Sequence, residues 1–369
     1  MQQIAKNKKV AIVCDWLTGI GGAERVVLEL HKMFPEAPIY TSQYDPEKID
    51  WFKNADIRVG WLQKIPKRLK KFIPVFRAWY FSRLDLSEYD IIISNTGAEA
   101  KGVKFGPSTT HLCICNAPTH YYWSRYEQYL KEPGFGKFNW LARLGLKMLV
   151  SPMRKWDFRA AQRPTELIAI SSHIQKEIKK YYKRDSAMIF PPVKLERFNK
   201  LSSKTKNGFV ITGRQTPYKR VDLAVAACTK LNLPLTVVGD GPEHQELINM
   251  SGTSIKFITN ATDKQVNDAI SSSEAFIFPG LDDFGISPVE AMAAGLPVIA
   301  YRGGGALDYV VPGKTGEFFD NQNTDSLCRV LEDFEPQKYS SDDIKRESKR
   351  FSVENFQKSL IDKVNQVVK

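Results

Sequence analysis

Arg214 and Lys219 lie within the octet Gly213-Arg214-Gln215-Thr216-Pro217-Tyr218-Lys219-Arg220, which follows the apolar run 208–212. It carries three cations and no acid. An arginine fork and a lysine point charge leaving one strand end together suit a diphosphate. The same octet also reads as a solvated basic loop. Arg220 is expected to pair with Asp222 or to face water. A second stretch, 278–295, passes from an apolar run through Asp282-Asp283-Phe284-Gly285-Ile286 to a helical pattern in which Glu290 lies about one turn inside. Pro288 suits the first turn of that helix. Free amides at its start attract phosphate or sugar oxygens. Asp282 and Glu290 would then hold hydroxyls at two points of one ligand, although acids also cap helix starts. A third feature is the early turn Gly19-Ile20-Gly21-Gly22. It lacks the spacing of a dinucleotide fingerprint and the GK[ST] of a P-loop. It either brings backbone amides close to an anion or is a plain tight turn. Gly239-Asp240-Gly241-Pro242-Glu243 and Gly303-Gly304-Gly305-Ala306-Leu307-Asp308 are further strand-end turns that could line a pocket.

These residues need elements that hold them at one end of a sheet. Short apolar runs at 9–15, 90–94, 112–115 and 167–170 alternate with helical spacing at 23–34 and 172–182. The alternation resumes with strands at 208–213, 234–239, 255–258, 275–279 and 297–300, and helices at 221–231, 263–273 and 286–294. Strand–helix alternation predicts parallel sheets covered on both faces. Two such runs, divided by Pro191-Pro192 and a polar, lysine-rich stretch at 201–207, predict two doubly wound Rossmann-like α/β domains. The expected division is 1–195, a linker at 196–207, a second domain at 208–350 and a C-terminal helix after 351. Ligands in such sheets bind beyond the carboxyl ends of the strands, so two such domains imply a central cleft.

The chain has 369 residues, 43% hydrophobic and 25% charged, which fits a globular protein of two domains. The five cysteines read as reduced thiols of a cytoplasmic protein. Residues 1–9 are polar and lead directly into a strand, so no leader peptide is expected. No run approaches 18 apolar residues. The formal charge of +12 implies an anionic partner: nucleotide phosphates, an anionic lipid surface or nucleic acid. No RNA- or DNA-binding motif accompanies it, and no nucleic-acid partner is expected.

The order of these motifs resembles glycosyltransferase family 4, the retaining enzymes of the GT-B fold, over nearly the whole chain. The subgroup it resembles is the bacterial mannosyltransferases that use GDP-mannose. The resemblance implies that Arg214 and Lys219 stabilise the donor diphosphate, and that Asp282 meets the sugar and Glu290 the ribose. It places Gly21 and Gly22 beneath the diphosphate, and Gly213, Gly239, Phe284, Gly285 and Ile286 around the donor. It implies no required cofactor and no metal, with GDP-mannose or another nucleoside-diphosphate sugar as donor. It also implies a C-terminal helix, near 353–368, that crosses back to the N-terminal domain.

Two positions depart from the family pattern. The first acid of the family's Glu-x7-Glu pair is here Asp282, one methylene shorter. In Cys115-Asn116-Ala117-Pro118-Thr119-His120 the second residue is asparagine where the family has histidine. Asn116 can hydrogen-bond a sugar hydroxyl but cannot change charge near neutral pH. His120, four residues on, either contributes or simply packs. A catalytically weak or silent sugar-nucleotide binder and a GT-B sugar-nucleotide epimerase are therefore the alternatives to a transferase.

Residues 57–84 hold eight cations, among them Lys64, Lys67, Arg68, Lys70, Lys71, Arg77 and Arg83, and no Asp or Glu. Trp61, Phe72, Phe76, Trp79, Tyr80 and Phe81 are interleaved. Cations beside aromatics suit an anionic membrane interface, with a lipid-linked or glycan acceptor; a surface helix with inward aromatics gives the same pattern. The expected location is the inner face of the plasma membrane, held peripherally.

Overall fold

The computed structural model describes residues 8–65, 74–131, 133, 136, 139–198 and 205–368. Lys67, Arg68, Lys70 and Lys71, and most of the expected linker, lie outside the described residues. The chain divides into two compact units. The first comprises Met1–Ile170, Ile174–Pro191 and Phe356–Lys369; the second comprises Ser171–His173 and Pro192–Asn355.

The first unit is built on β1 (Val10–Cys14), α1 (Gly22–Met33), β2 (Ile39–Thr41), β3 (Ile57–Val59), α2 (Pro74–Arg83), β4 (Ile91–Thr96) and β5 (Thr110–Cys115). It continues with α3 (Tyr126–Lys131), α4 (Asn139–Ala161), β6 (Glu166–Ala169), α5 (Ser172–Tyr182) and β7 (Ala187–Met188). The strands form one parallel sheet in the order β3-β2-β1-β4-β5-β6-β7. β1 and β4 are buried along their whole length. That is why β1 and the first half of β4 read as continuous apolar runs rather than alternating ones.

The second unit holds β8 (Phe209–Thr212), α6 (Val221–Lys230), β9 (Leu235–Val238), α7 (His244–Met250), β10 (Ile255–Ile258), α8 (Asp263–Ser271) and β11 (Ala275–Phe278). It goes on through α9 (Ile286–Ala293), β12 (Val298–Tyr301), β13 (Gly316–Phe319), α10 (Thr324–Glu332) and α11 (Ser341–Ser348). Its six strands are parallel in the order β10-β9-β8-β11-β12-β13. The order reverses between β8 and β11, so both loops singled out by their charge start at the switch point of the sheet. A last helix, α12 (Val353–Val367), buries Phe356, Leu360 and Val364. From Phe356 onward it belongs to the first unit.

The two doubly wound α/β units agree with the fold class expected from the alternation. Four short strands, β2, β3, β7 and β13, and the 23-residue α4 add to the elements read from the sequence.

Candidate functional site

In the second unit the loops after β8, β9, β11 and β12 pack on one another, backbone against backbone. Gly239, with φ +132, lies so close to the β8 end that a Cβ there would sit 2.0 Å from the Gly213 carbonyl oxygen. Gly285, with φ +90, caps the start of α9; a Cβ there would meet the Tyr309 hydroxyl at 2.7 Å and the Phe278 ring at 2.8 Å. Only glycine supplies both the left-handed backbone and the missing volume. Gly305 N–H donates to the Asp282 carbonyl at 2.9 Å, tying the loop after β12 to the loop after β11.

This packing brings the Lys219 ammonium onto the Asp282 carboxylate in a direct ion pair, both side chains mostly buried. An ammonium has three N–H donors, so the pair leaves donors for further oxygens. Arg214 leaves the same strand end exposed, and Gly213 beside it opens to free space. Ile286 opens α9, and Glu290 is half-buried one turn along it. Phe284 turns its ring into the core against Tyr309 and Phe351. Its carbonyl accepts from the Tyr309 hydroxyl at 3.1 Å. Arg220 pairs with Asp222 at 2.9 Å and stands apart from the cationic pair of the loop.

Gln215, unremarkable in the sequence, is fully buried and braces this end of the sheet. Its Nε2 donates to the Gly239 carbonyl at 2.8 Å and its backbone N–H to the Asp240 carbonyl at 2.9 Å. His244 Nδ1 bonds its Oε1 at 2.8 Å. Its side chain thus locks the two turns that carry Arg214 and Gly239. The signal in the sequence was its place between two flagged cations.

The first unit has a cavity of about 270 Å³ at the carboxyl ends of β1, β4 and β5, lined by Asp15, Trp16, Glu24, Asn95, Asn116, His120 and Tyr121 among others. Asn116 is partly exposed in it, at the end of β5, and His120 shares a 2.8 Å hydrogen bond with Ser124. Asn95 Nδ2 donates to the Ala23 carbonyl at 2.9 Å, and its Oδ1 is buried without a hydrogen-bond partner among the described residues. Gly21 caps α1 without a side-chain bond, and Gly22 opens the helix. The turn thus presents a helix N-terminus beside this cavity.

The floor beneath the cavity is an ionic network invisible in the sequence. Asp15 accepts from the Thr96 hydroxyl at 2.9 Å and from the N–H groups of Gly97, Ala98 and Ala100 at 2.8–3.1 Å. Glu99 accepts from Arg77 Nε at 2.7 Å and from the hydroxyl of Tyr121. Lys101 and Asp157 form a fully buried pair at 2.7 Å. Burial works to lower the Lys101 ammonium, but Asp157, with Cys115 and Asp15 adding to it, holds the group above its ordinary value. Asp157 also takes the Trp123 N–H and the Tyr182 hydroxyl, each at 2.7 Å. This clamp fixes the segment carrying His120 and Tyr121.

One expectation is corrected here. Arg77, counted with the surface cations, points inward onto Glu99 and lies over the Trp16 ring at 4.6 Å. Arg58 stays exposed and pairs with Asp56 at 2.8 Å. The aromatics divide between the two readings: Phe81 is fully buried and Tyr80 packs against its cluster, whereas Trp61, Phe76 and Trp79 are 42–49% exposed, with Trp61 edge to face against each of the other two. Arg83 lies over Trp79 at 4.3 Å, and Lys64 is exposed at the end of the turn that carries Trp61.

Two doubly wound parallel sheets in one chain, with charged loops at a switch point, define an α/β protein of the GT-B class. Solved structures agree: the chain aligns with Anabaena Alr3699/HepE in complex with UDP and glucose at TM-score 0.68 and 17% identity, covering 97% of this chain and 100% of that one. Residues 192–351, somewhat less than half of the chain, match the family Glycosyl transferases group 1. A GDP-mannose-dependent alpha-mannosyltransferase of Mycolicibacterium smegmatis is 35% identical over 114 residues, 31% of this chain and 30% of that protein. The chain thus spans less than a third of that relative's length. The human Alpha-1,3/1,6-mannosyltransferase ALG2 is 24% identical over 343 residues, 81% of this chain and 80% of that protein.

Proposed function

We propose that the protein transfers a hexosyl group, mannose from GDP-mannose, to a lipid-linked or glycan acceptor at an anionic membrane surface, with retention of configuration. The observation that carries this reading is the Lys219–Asp282 pair at the switch point of the group 1 domain. The GDP-mannose dependence of the Mycolicibacterium relative supports the donor assignment. The exposed Trp61, Phe76 and Trp79 support the surface assignment.

In the proposed reaction the bond between the anomeric carbon and the diphosphate oxygen breaks, and its electron pair leaves with the diphosphate. Arg214, Lys219 and the amides at the start of α9 stabilise that growing charge, where fixed donors contribute most. The acceptor oxygen bonds to the same carbon from the leaving-group face. Its proton passes to a diphosphate oxygen, so no side-chain base is needed. Asp282 orients Lys219 and meets the sugar, while Glu290 takes the ribose.

Replacing Arg214 or Lys219 with alanine is expected to lower turnover of GDP-mannose on the order of a hundredfold or more at matched folding. Near wild-type turnover in both variants would remove the assignment. A weak or silent donor-binding relative is favoured by Asn116 alone. Asn116→His is expected to raise turnover, and equal or lower activity would count against Asn116 as the limiting group.

A further inference from the structure

Helix α4 changes character at Pro152, whose ring nitrogen cannot donate to the Met148 carbonyl. Beyond it, Met153, Asp157, Ala160 and Ala161 are buried, and Trp156 Nε1 ties the helix to Ser82 on α2 at 2.9 Å. Before it, the helix carries large apolar side chains into solvent: Trp140 is 64% exposed, Leu141 47%, Leu144 49% and Met148 69%, with Leu149, 45% exposed, about 80° beyond Leu141. Trp140, Leu144 and Met148 recur every four residues, and Leu141 shares their side; at 100° per residue the four fall within an arc of about 100°. Single exposed apolar residues need no explanation, but an ordered stripe of them does.

We infer that the N-terminal half of α4 is an interfacial helix that lies in the headgroup region of an anionic bilayer, with Trp140, Leu141, Leu144 and Met148 facing the acyl chains. This inference rests on the transferase reading only in naming the surface where the acceptor is met. Charge selects the occupant. Between Glu132 and Asp157 the sequence holds Lys137, Arg143, Lys147, Arg154 and Lys155 and no acid. Arg143 and Lys147 fall on one flank of the arc, and Lys147 is exposed. Arg143 donates to the carbonyls of Leu130 and Lys131 at 3.0 and 2.8 Å, fixing the end of α3 beside the stripe. A second copy of the chain would bring this cationic stripe against itself, because a two-fold interface pairs the same patch on both subunits. An anionic lipid surface accepts both the cations and the apolar arc. Among the described residues no helix is long and apolar enough to cross a membrane, so α4 lies on the bilayer rather than spanning it.

The test uses the full chain with vesicles of phosphatidylcholine alone and of phosphatidylcholine with equimolar phosphatidylglycerol. Wild type is expected to co-sediment with the anionic vesicles and to dissociate as salt shortens the screening length from about 10 Å at 0.1 M to 3 Å at 1 M. The double variant Leu144→Ser, Met148→Ser is expected to bind about tenfold or more weakly with unchanged thermal stability, because it removes only exposed apolar contacts. Lys147→Glu is expected to lose preference for the anionic vesicles. Brominated acyl chains are expected to quench a tryptophan signal that is missing in Trp140→Phe. Wild-type vesicle binding by the double variant, absence of quenching at Trp140, or a wild-type dimer dispersed by the same substitutions would each overturn the inference. Thermal stabilisation by GDP-mannose is measured in parallel. Its loss with vesicle binding retained would sink the transferase reading alone, and its persistence without vesicle binding would sink this inference and the surface assignment while donor use stands.

Discussion

His111 lies in β5, fully buried, with Nε2 sharing a 2.8 Å hydrogen bond with Ser94 and its other ring nitrogen without a hydrogen-bond partner among the described residues. Burial, with Arg184 adding to it, lowers the imidazole to about 3. An unfolded histidine titrates near 6.5. Between those values the unfolded chain binds a proton that the folded chain excludes. The contribution is therefore complete above pH 6.5 and is lost as pH falls toward 3, on the order of 5 kcal/mol in all. His111→Gln keeps a donor for Ser94 and is expected to flatten the fall in urea midpoint between pH 7 and 4. An unchanged acid limb would place the sensitivity elsewhere. Thiols respond to burial in the opposite direction. Burial pushes Cys113 up to about 11 and Cys228 to about 12, and Cys14 higher still. All five cysteines are buried and unpaired with one another, so a thiol reagent is expected to label them only on unfolding. At this scale the sequence displayed the charged loop residues because unusual types cluster there. Gln215, Lys101 and Asp157 stayed hidden because each acquires its meaning from partners tens of residues away.

At the scale of elements, the strand-end loops of the second unit are expected to tolerate no Cβ at Gly239. Gly239→Ala would force the loop after β9 away from Gly213 and cost about 2–3 kcal/mol. Calorimetric unfolding and donor affinity are expected to fall together in that variant; unchanged values for both would mean the loops part freely. The Lys101–Asp157 clamp makes a second prediction. Lys101→Met and Asp157→Asn each strand a buried charge or its partner, and each is expected to cost about 3–5 kcal/mol. The double variant is expected to cost less than the sum, and strict additivity in denaturant unfolding would deny the coupling. The long buried strands were plain in the sequence as apolar runs. β7, with two residues, and β2 and β3, with three each, are too short to establish a period, and they take their strand geometry from their neighbours in the sheet. The sequence shows residues 121–159 as a basic, aromatic stretch that could border the acceptor entrance, but not as an exposed helix stripe, because an apolar helix face is ordinarily a buried one.

The whole molecule returns to its first unit through α12. Phe356, Leu360 and Val364 are buried there, and Lys363 lies 3.8 Å from Glu166. Burial of three such side chains contributes roughly 1.5–3 kcal/mol each, a large share of a domain's margin of about 5–15 kcal/mol. Truncation after Asn355 is expected to abolish cooperative unfolding of the first unit. Limited proteolysis is expected to leave the core of the second unit protected by donor, and equal protection of both units would refute the prediction. The two-unit architecture was legible because strand–helix alternation repeats on either side of a polar break. The return of α12 was not legible from composition, since an amphipathic helix carries no mark of the surface it covers; only the family resemblance suggested it. This route through the fold also sets an order of birth. A ribosome delivers the entire second unit before it delivers Phe356. The group 1 domain can therefore close on itself while the earlier-made sheet still waits for its last helix, and the nascent first unit is the part that a chaperone would meet unfinished.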